Sequence, residues 1–258
     1  MYLFIPDISS NILQGLDAAH FFSLRVKRNE ILKVTDLKGT LAEIKILGYD
    51  KNSQSVDFEI HKQEVFENKA RNILYQTVID KYYLEKLFEV LPFMKLKEIV
   101  LFYSQHSIKL KPNLERLTNI LTRSLEQSES LFIPKITIIE TKNYLQSLEE
   151  IKPIVLDCYL DTKSSSNSSQ RKVALGSGEG FDLELKPNEN IKTQGNKQAP
   201  NSKLLTNNSA LVGPEGGWSQ EEKDFFINNN FQFYNLGDII YPAWLAGFGY
   251  FERVSRGS

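Results

Sequence analysis

The chain has a single cysteine, Cys158, and only three histidines, His20, His61 and His106, far apart in sequence. One thiol excludes an intramolecular disulfide framework and any multi-cysteine zinc site. Three isolated imidazoles do not build a His-rich metal centre, so no metal is expected. No stretch approaches the roughly 20 apolar residues of a membrane-spanning helix. Met1 to Ser10 lack the basic start and apolar run of a secretory signal. An excess of one charge is missing too: 31 Lys+Arg face 32 Asp+Glu, a formal net charge of −1. That excludes a globally basic nucleic-acid coat but says nothing about local basic patches. These absences lead to the expectation of a soluble, cytoplasmic protein with no membrane partner.

What is present is ordinary globular material: 258 residues, 41% hydrophobic and 24% charged. At roughly 150 residues per domain, that is one or two domains with enough chain for a real core. The first part reads as short strands and turns. Glu30 to Thr35 is strand-like, and Asp36-Leu37-Lys38-Gly39 is a turn in which Gly39 is free to take positive φ. Ala42, Ile44 and Ile46 alternate with polar neighbours, as do Val56, Phe58 and Ile60. Such period-2 alternation predicts a small antiparallel sheet or barrel with one wet face.

The texture changes near Ala70. Ile73, Leu74, Val78 and Ile79 lie at helical spacing in a segment without Pro or Gly, which predicts a helix within 72–90. Glu98 to Tyr103 is an apolar strand. Lys111 to Ser128 is an amphipathic helix with Leu114, Leu117, Ile120, Leu121 and Leu125 on one face. A strand at Lys135–Glu140, a helix near Tyr144–Glu150 and a strand at Pro153–Asp157 follow. Strands alternating with helices predict a largely parallel sheet, and the chain divides into residues 1–70 and 71–258. Two polar stretches, 163–170 and 187–208, have too little to bury and are expected to be flexible insertions.

Ser209 to Glu222, SALVGPEGGWSQEE, carries the strongest local signal. Ala210-Leu211-Val212 reads as a short buried strand, Gly213 to Gly217 as a glycine-rich turn, and Ser219 with Glu222 as a capping box opening a helix. Glycines let a ligand approach backbone N–H groups closely. The segment is neither a P-loop nor a GxGxxG fingerprint. Read on its own, it suits a tight structural turn as well as a ligand loop.

The run Val212-Gly213-Pro214-Glu215-Gly216-Gly217-Trp218-Ser219, with Glu222 behind it, resembles the signature of the 16S rRNA (uracil-N3)-methyltransferase family of the SPOUT class. His20 to Arg25, Asn29 to Leu32 and the Asp36–Gly39 turn resemble that family's small N-terminal PUA-like barrel. Gln76, Lys81, Glu126-Gln127-Ser128 and Pro134 fall at its later landmarks. The resemblance implies an α/β fold: a PUA-like RNA-binding β-barrel over 1–70 and a knotted, parallel-sheet SPOUT methyltransferase domain over 71–258. It implies S-adenosylmethionine as cofactor, methylation of a uridine N3 in 16S ribosomal RNA, the small ribosomal subunit or its RNA as partner, and a homodimer.

The cofactor would be held by Leu211, Gly213, Pro214, Glu215, Gly216 and Gly217, and by a later loop of which Leu236, Gly237, Ile240, Tyr241 and Ala246 are the counterparts here. RNA phosphates would meet Arg25, Lys27 and Arg28 in the barrel and Lys109, Lys111, Arg116 and Arg123 around the second helix. Several family positions differ. Pro242 and Trp244 replace an arginine and a glutamate of the later loop. Val90 and Phe93 replace a lysine and a glutamate, and Ser130 and His106 replace two arginines. No residue stands out as the general base, and a non-catalytic RNA-binding relative is the alternative. Glu215 is read as a helix-entry carboxylate, Trp218 and Trp244 as packing residues, His20 and His106 as structural or surface residues, and Cys158 as a small buried hydrophobe.

Overall fold

The computed structural model describes residues 1–50, 52–140, 144–157, 208–237 and 240–256. Cys158 and the polar stretch 163–170 lie outside them, as does 187–208 except Asn208. Two sheets are built. The first is mixed and curled, from β1 (Leu3–Phe4), β2 (Ile12–Gln14), β3 (Ile31–Thr35), β4 (Thr40–Asp50) and β5 (Ser55–Val65), in the order β1-β3-β4-β5-β2. Register shifts at Glu43/Ile44 and Ile46/Gly48 interrupt the β4–β5 ladder, and such bulges bend and twist a strand pair. The alternation read in sequence sets its core: Ala42, Ile44, Ile46, Val56 and Phe58 are buried with Val34, and helix α1 (Gly15–Ser23) adds Ala18 and Phe21. The β3–β4 turn is fixed by Asp36, whose carboxylate accepts from the N–H groups of Lys38 at 2.8 Å and Thr40 at 2.9 Å. Gly39 takes φ 112° in that turn.

The second sheet is parallel throughout: β6 (Asn72–Thr77), β7 (Leu96–Phe102), β8 (Lys135–Ile139), β9 (Ile154–Leu156), β10 (Ser209–Val212) and β11 (Phe233–Tyr234), in the order β11-β9-β10-β6-β7-β8. Helices α2 (Lys81–Val90), α3 (Leu114–Gln127) and α6 (Ala243–Arg256) cover one face, where Leu87, Leu121 and Tyr250 pack on Leu74, Ile99 and Ala210. Helices α4 (Tyr144–Glu149) and α5 (Gln220–Asn228) cover the other, where Tyr144 and Phe226 pack on Tyr75, Val100 and Leu211.

The helix expected within 72–90 is a correction. Residues 72–77 form the central strand β6, and the helix begins only at Lys81, where Asp80 caps it by accepting from Tyr82 N–H at 2.8 Å. Leu74 buries itself on one face of the sheet and Tyr75 on the other. A strand covered on both sides needs an uninterrupted apolar run, which imitates a buried helix in sequence.

The two sheets are joined through the end of α3. Glu126, 7% exposed, accepts from Phe4 N–H at 2.7 Å with its side chain and from Tyr2 N–H at 3.2 Å with its carbonyl. Gly39 N–H donates to Leu131 O at 3.0 Å beside them.

Candidate functional site

In a parallel sheet all strands end on the same side, and ligands sit beyond those carboxyl ends where the chain changes direction across the sheet. Here that place lies between β6 and β10, since the chain runs outward from β6 to β8 and then returns to the far side. The residues after β10 form the loop Gly213 to Ser219. Its turn closes by a hydrogen bond from Gly217 N–H to Pro214 O at 2.9 Å, with Gly217 at φ 73°. Gly213 is required by close approach, because a Cβ there would stand 2.7 Å from the Trp218 ring. Among the described residues, Gly216 and Gly217 have open space where a side chain would be, apart from the His106 Cβ at 3.6 Å from the Gly216 position.

The loop ends in the expected capping box. Ser219 Oγ accepts from Glu222 N–H at 3.2 Å and Glu222 Oε2 accepts from Ser219 N–H at 2.7 Å. Glu222 does more than cap. Its Oε1 accepts from Gln105 N–H at 2.8 Å, in the loop after β7, and from the Tyr144 hydroxyl on α4. Burial, reinforced by the carboxylate partner, pushes the Tyr144 hydroxyl far above its ordinary value, so it stays a donor. The β7–α3 loop is held a second time by His106, whose Nδ1 lies 3.0 Å from Gly217 O.

The loop walls a cavity of about 470 Å³, within the size range of small-molecule sites. Of the residues expected from sequence, Gly213, Pro214, Glu215, Gly216, Gly217, Leu236, Ile240, Tyr241 and Ala246 line it. Two do not. Leu211 is fully buried against Tyr75 and Phe226, because alternation along β10 turns it to the α5 face while Val212 reaches the cavity. Gly237, at φ 101°, faces the Arg253 guanidinium. Glu215 is corrected as well: it precedes the Ser219 N-cap by four positions and lies exposed at the cavity wall, so Glu221 and Glu222 are the acids of the first helical turn.

Sequence reasoning missed Leu156, Asp157, Lys223, Tyr234, Pro242 and Ala243, all lining the cavity, and Trp218 lines it besides packing on Phe102 and Phe226. The position of Asp157, directly after an apolar parallel strand, was the available signal for it. Lys223 is the one cation among the described lining residues, and it makes no ion pair among the described residues.

The basic residues expected on RNA are all exposed but do not form one patch by contact. Arg25, Lys27 and Arg28 follow α1, Lys109 and Lys111 precede α3, and Arg123 lies on it. Arg116 is engaged in a two-pronged bond to Glu85, with Nε 2.6 Å and Nη2 2.9 Å from its oxygens. Among the described residues no cluster of His, Cys, Asp or Glu suits a metal ion, and no helix is long and apolar enough to cross a membrane.

A parallel sheet between two helical layers, with a glycine-walled cavity at its carboxyl edge, is an α/β architecture with room for a small ligand. The sequence model of the RNA methyltransferase domain family matches residues 67–241, and the chain belongs to that family. Solved structures agree in fold. Ribosomal RNA small subunit methyltransferase E from Neisseria gonorrhoeae, bound to S-adenosyl methionine, superposes with a TM-score of 0.71 at 17% identity, over 99% of this chain and 96% of that one. A Porphyromonas gingivalis protein described as an rRNA-methyltransferase gives 0.71 at 20% identity, over 99% and 97%. A Legionella pneumophila protein described as a methyltransferase, also with its cofactor SAM bound, gives 0.69 at 14% identity, over 99% and 96%. No curated protein matches the chain by sequence.

Proposed function

We propose that the cavity holds S-adenosylmethionine and that the protein methylates N3 of a uridine in 16S ribosomal RNA. The observation that carries this reading is the glycine wall at the carboxyl edge of the sheet: Gly216 and Gly217 leave backbone open to a ligand, and three charged side chains converge beside them. The donor set fits the cofactor. Asp157 and Glu215 suit an ammonium group and ribose hydroxyls, Lys223 suits a carboxylate, and Val212, Leu236, Ile240, Tyr241 and Ala246 supply an apolar berth for a purine. Ile240, 64% exposed, is an aliphatic side chain that such a purine would cover. When bound, the cofactor supplies an electrophilic methyl group on a sulfonium.

The chain's part is to orient and to exclude water. The capping box and Glu222 hold the glycine loop against the β7–α3 loop, so a target base meets a fixed wall. Orientation of this kind accounts for much of the acceleration available to a displacement reaction. The target uridine must leave its stack to reach the site. The reading extends to residues 1–70 as a PUA-like barrel contacting RNA through Arg25, Lys27 and Arg28. It also takes residues 71–258 as a knotted SPOUT domain, and a cytoplasmic homodimer acting on the small ribosomal subunit.

Calorimetry with S-adenosylmethionine, followed by tritiated methyl transfer to 16S RNA lacking the modification, tests the reading. Saturable binding and label recovered as N3-methyluridine are expected. Absence of binding overturns it, and binding without transfer supports a relative that holds RNA without modifying it.

A further inference from the structure

His106 lies beside the glycine wall of the cavity, its Nδ1 within hydrogen-bond distance of the Gly217 carbonyl. It follows β7 in the tight turn Ser104 to Ser107, which is closed by Ser104 N–H donating to Ser107 Oγ at 2.8 Å and by Ser107 N–H donating to Ser104 O at 3.2 Å. Gln105 anchors this turn to Glu222, so the backbone on both sides of the imidazole is fixed. Nδ1 is 3.0 Å from Gly217 O. A carbonyl oxygen can only accept, so Nδ1 carries the hydrogen. In a neutral imidazole the other nitrogen, Nε2, is then an unprotonated acceptor. His106 is exposed; Gly217, whose carbonyl it meets, and Gly216, where an added Cβ would stand 3.6 Å from the His106 Cβ, both line the cavity.

We propose that His106 is the general base of the reaction: Nε2 takes the imide proton from N3 of the target uracil. The inference rests on the reading given above. As N3 releases its proton to Nε2, the N3 electron pair forms the bond to the methyl carbon, and the carbon–sulfur bond breaks with its electrons left on sulfur. The imidazolium returns its proton to solvent. The Gly217 carbonyl that fixes the tautomer then also faces the positive ring, which it stabilises. Glu222 is bonded to the neighbouring Gln105 N–H, Glu215 directly precedes Gly216 on the facing loop, and Lys109 follows His106 by three residues on its own loop. Glu215 is the competing base. It is an exposed carboxylate with no hydrogen bond fixing its direction among the described residues, whereas His106 has its Nδ1 anchored on Gly217 O.

Two measurements decide. Long-range ¹H–¹⁵N spectra of the protein alone should show His106 as the Nδ1–H tautomer; an Nε2–H tautomer overturns the proposal. In His106→Gln, S-adenosylhomocysteine and RNA affinities should stay within about twofold of the parent. The value of kcat should fall 10²- to 10⁴-fold, the range of general-base catalysis, and its acid limb should vanish. A kcat within threefold of the parent overturns the proposal, as does a loss of cofactor affinity that matches the loss of rate. Unmutated protein that binds no S-adenosylhomocysteine overturns the parent reading as well, and so is distinguished from failure of His106 alone.

Discussion

Gln105 donates its backbone N–H to the buried carboxylate of Glu222 at 2.8 Å, tying the loop after β7 to the first turn of α5. The same carboxylate serves Ser219 N–H and the Tyr144 hydroxyl. Glu222→Ala would strand donors from three segments in a site where Glu222 itself is 3% exposed. Stranding even one buried donor costs about 1–3 kcal/mol. Urea unfolding should therefore show Glu222→Ala destabilised by about 3 kcal/mol or more, with Glu222→Gln intermediate because it keeps an acceptor.

The glycines of the loop separate stability from binding. A Cβ at 213 would meet the Trp218 ring at 2.7 Å, so Gly213→Ala should cost about 1–3 kcal/mol through overpacking. At 216 the only neighbour of an added Cβ among the described residues is the His106 Cβ at 3.6 Å. Gly216→Val should leave thermal stability within about 0.5 kcal/mol, as surface changes do, and abolish S-adenosylmethionine binding by calorimetry. Unchanged affinity in Gly216→Val would remove the glycine wall from the ligand site.

Charge on the α3 side should be graded. Lys109, Lys111 and Arg123 are exposed and make no ion pair among the described residues, whereas Arg116 is held by Glu85. Each of Lys109→Ala, Lys111→Ala and Arg123→Ala should lower RNA affinity and reduce the salt slope by roughly 0.7–0.9. Arg116→Ala should do so less and change stability by under about 1 kcal/mol, as exposed pairs do. Equal effects at all four positions would contradict the engagement of Arg116.

Acid stability should depend on Asp36. Partial burial opposes its ionisation, but the N–H groups of Lys38 and Thr40 outweigh that and hold the carboxyl below the ordinary carboxylate range. A depressed folded value means that the contribution is present above the unfolded value of about 3.9 and is lost as pH falls through the lower folded one. Melting temperature plotted from pH 7 to pH 2 should therefore fall less steeply in Asp36→Asn than in the parent. An identical acid limb would show that the turn does not titrate with folding.

Much of this was legible because the signals are local. The capping box of Ser219 and Glu222, the β4 and β5 alternations and the strand–helix rhythm after Glu98 depend on residues close in sequence. What was misread or missed depends on distant partners. Residues 72–77 became a strand because β7 and β10 flank them, which no window around Leu74 contains. Lys223 and Asp157 reach the same cavity from α5 and from the end of β9, and His106 becomes a directed acceptor only because Gly217 O lies beside it.

The position of β10 has a kinetic consequence. Leu74 pairs with Ile99 on one side and Ala210 on the other, so the centre of the sheet is closed by a strand synthesised long after its neighbour. Pairings of such high sequence separation slow folding and leave the β6 edge unpartnered during synthesis. The cavity wall, to which residues 213–217, 236, 240–243 and 246 contribute, is therefore completed only after Ala246 has left the ribosome. Nascent chains stalled before Ser209 should have a folded N-terminal sheet and no capacity to hold a nucleoside ligand.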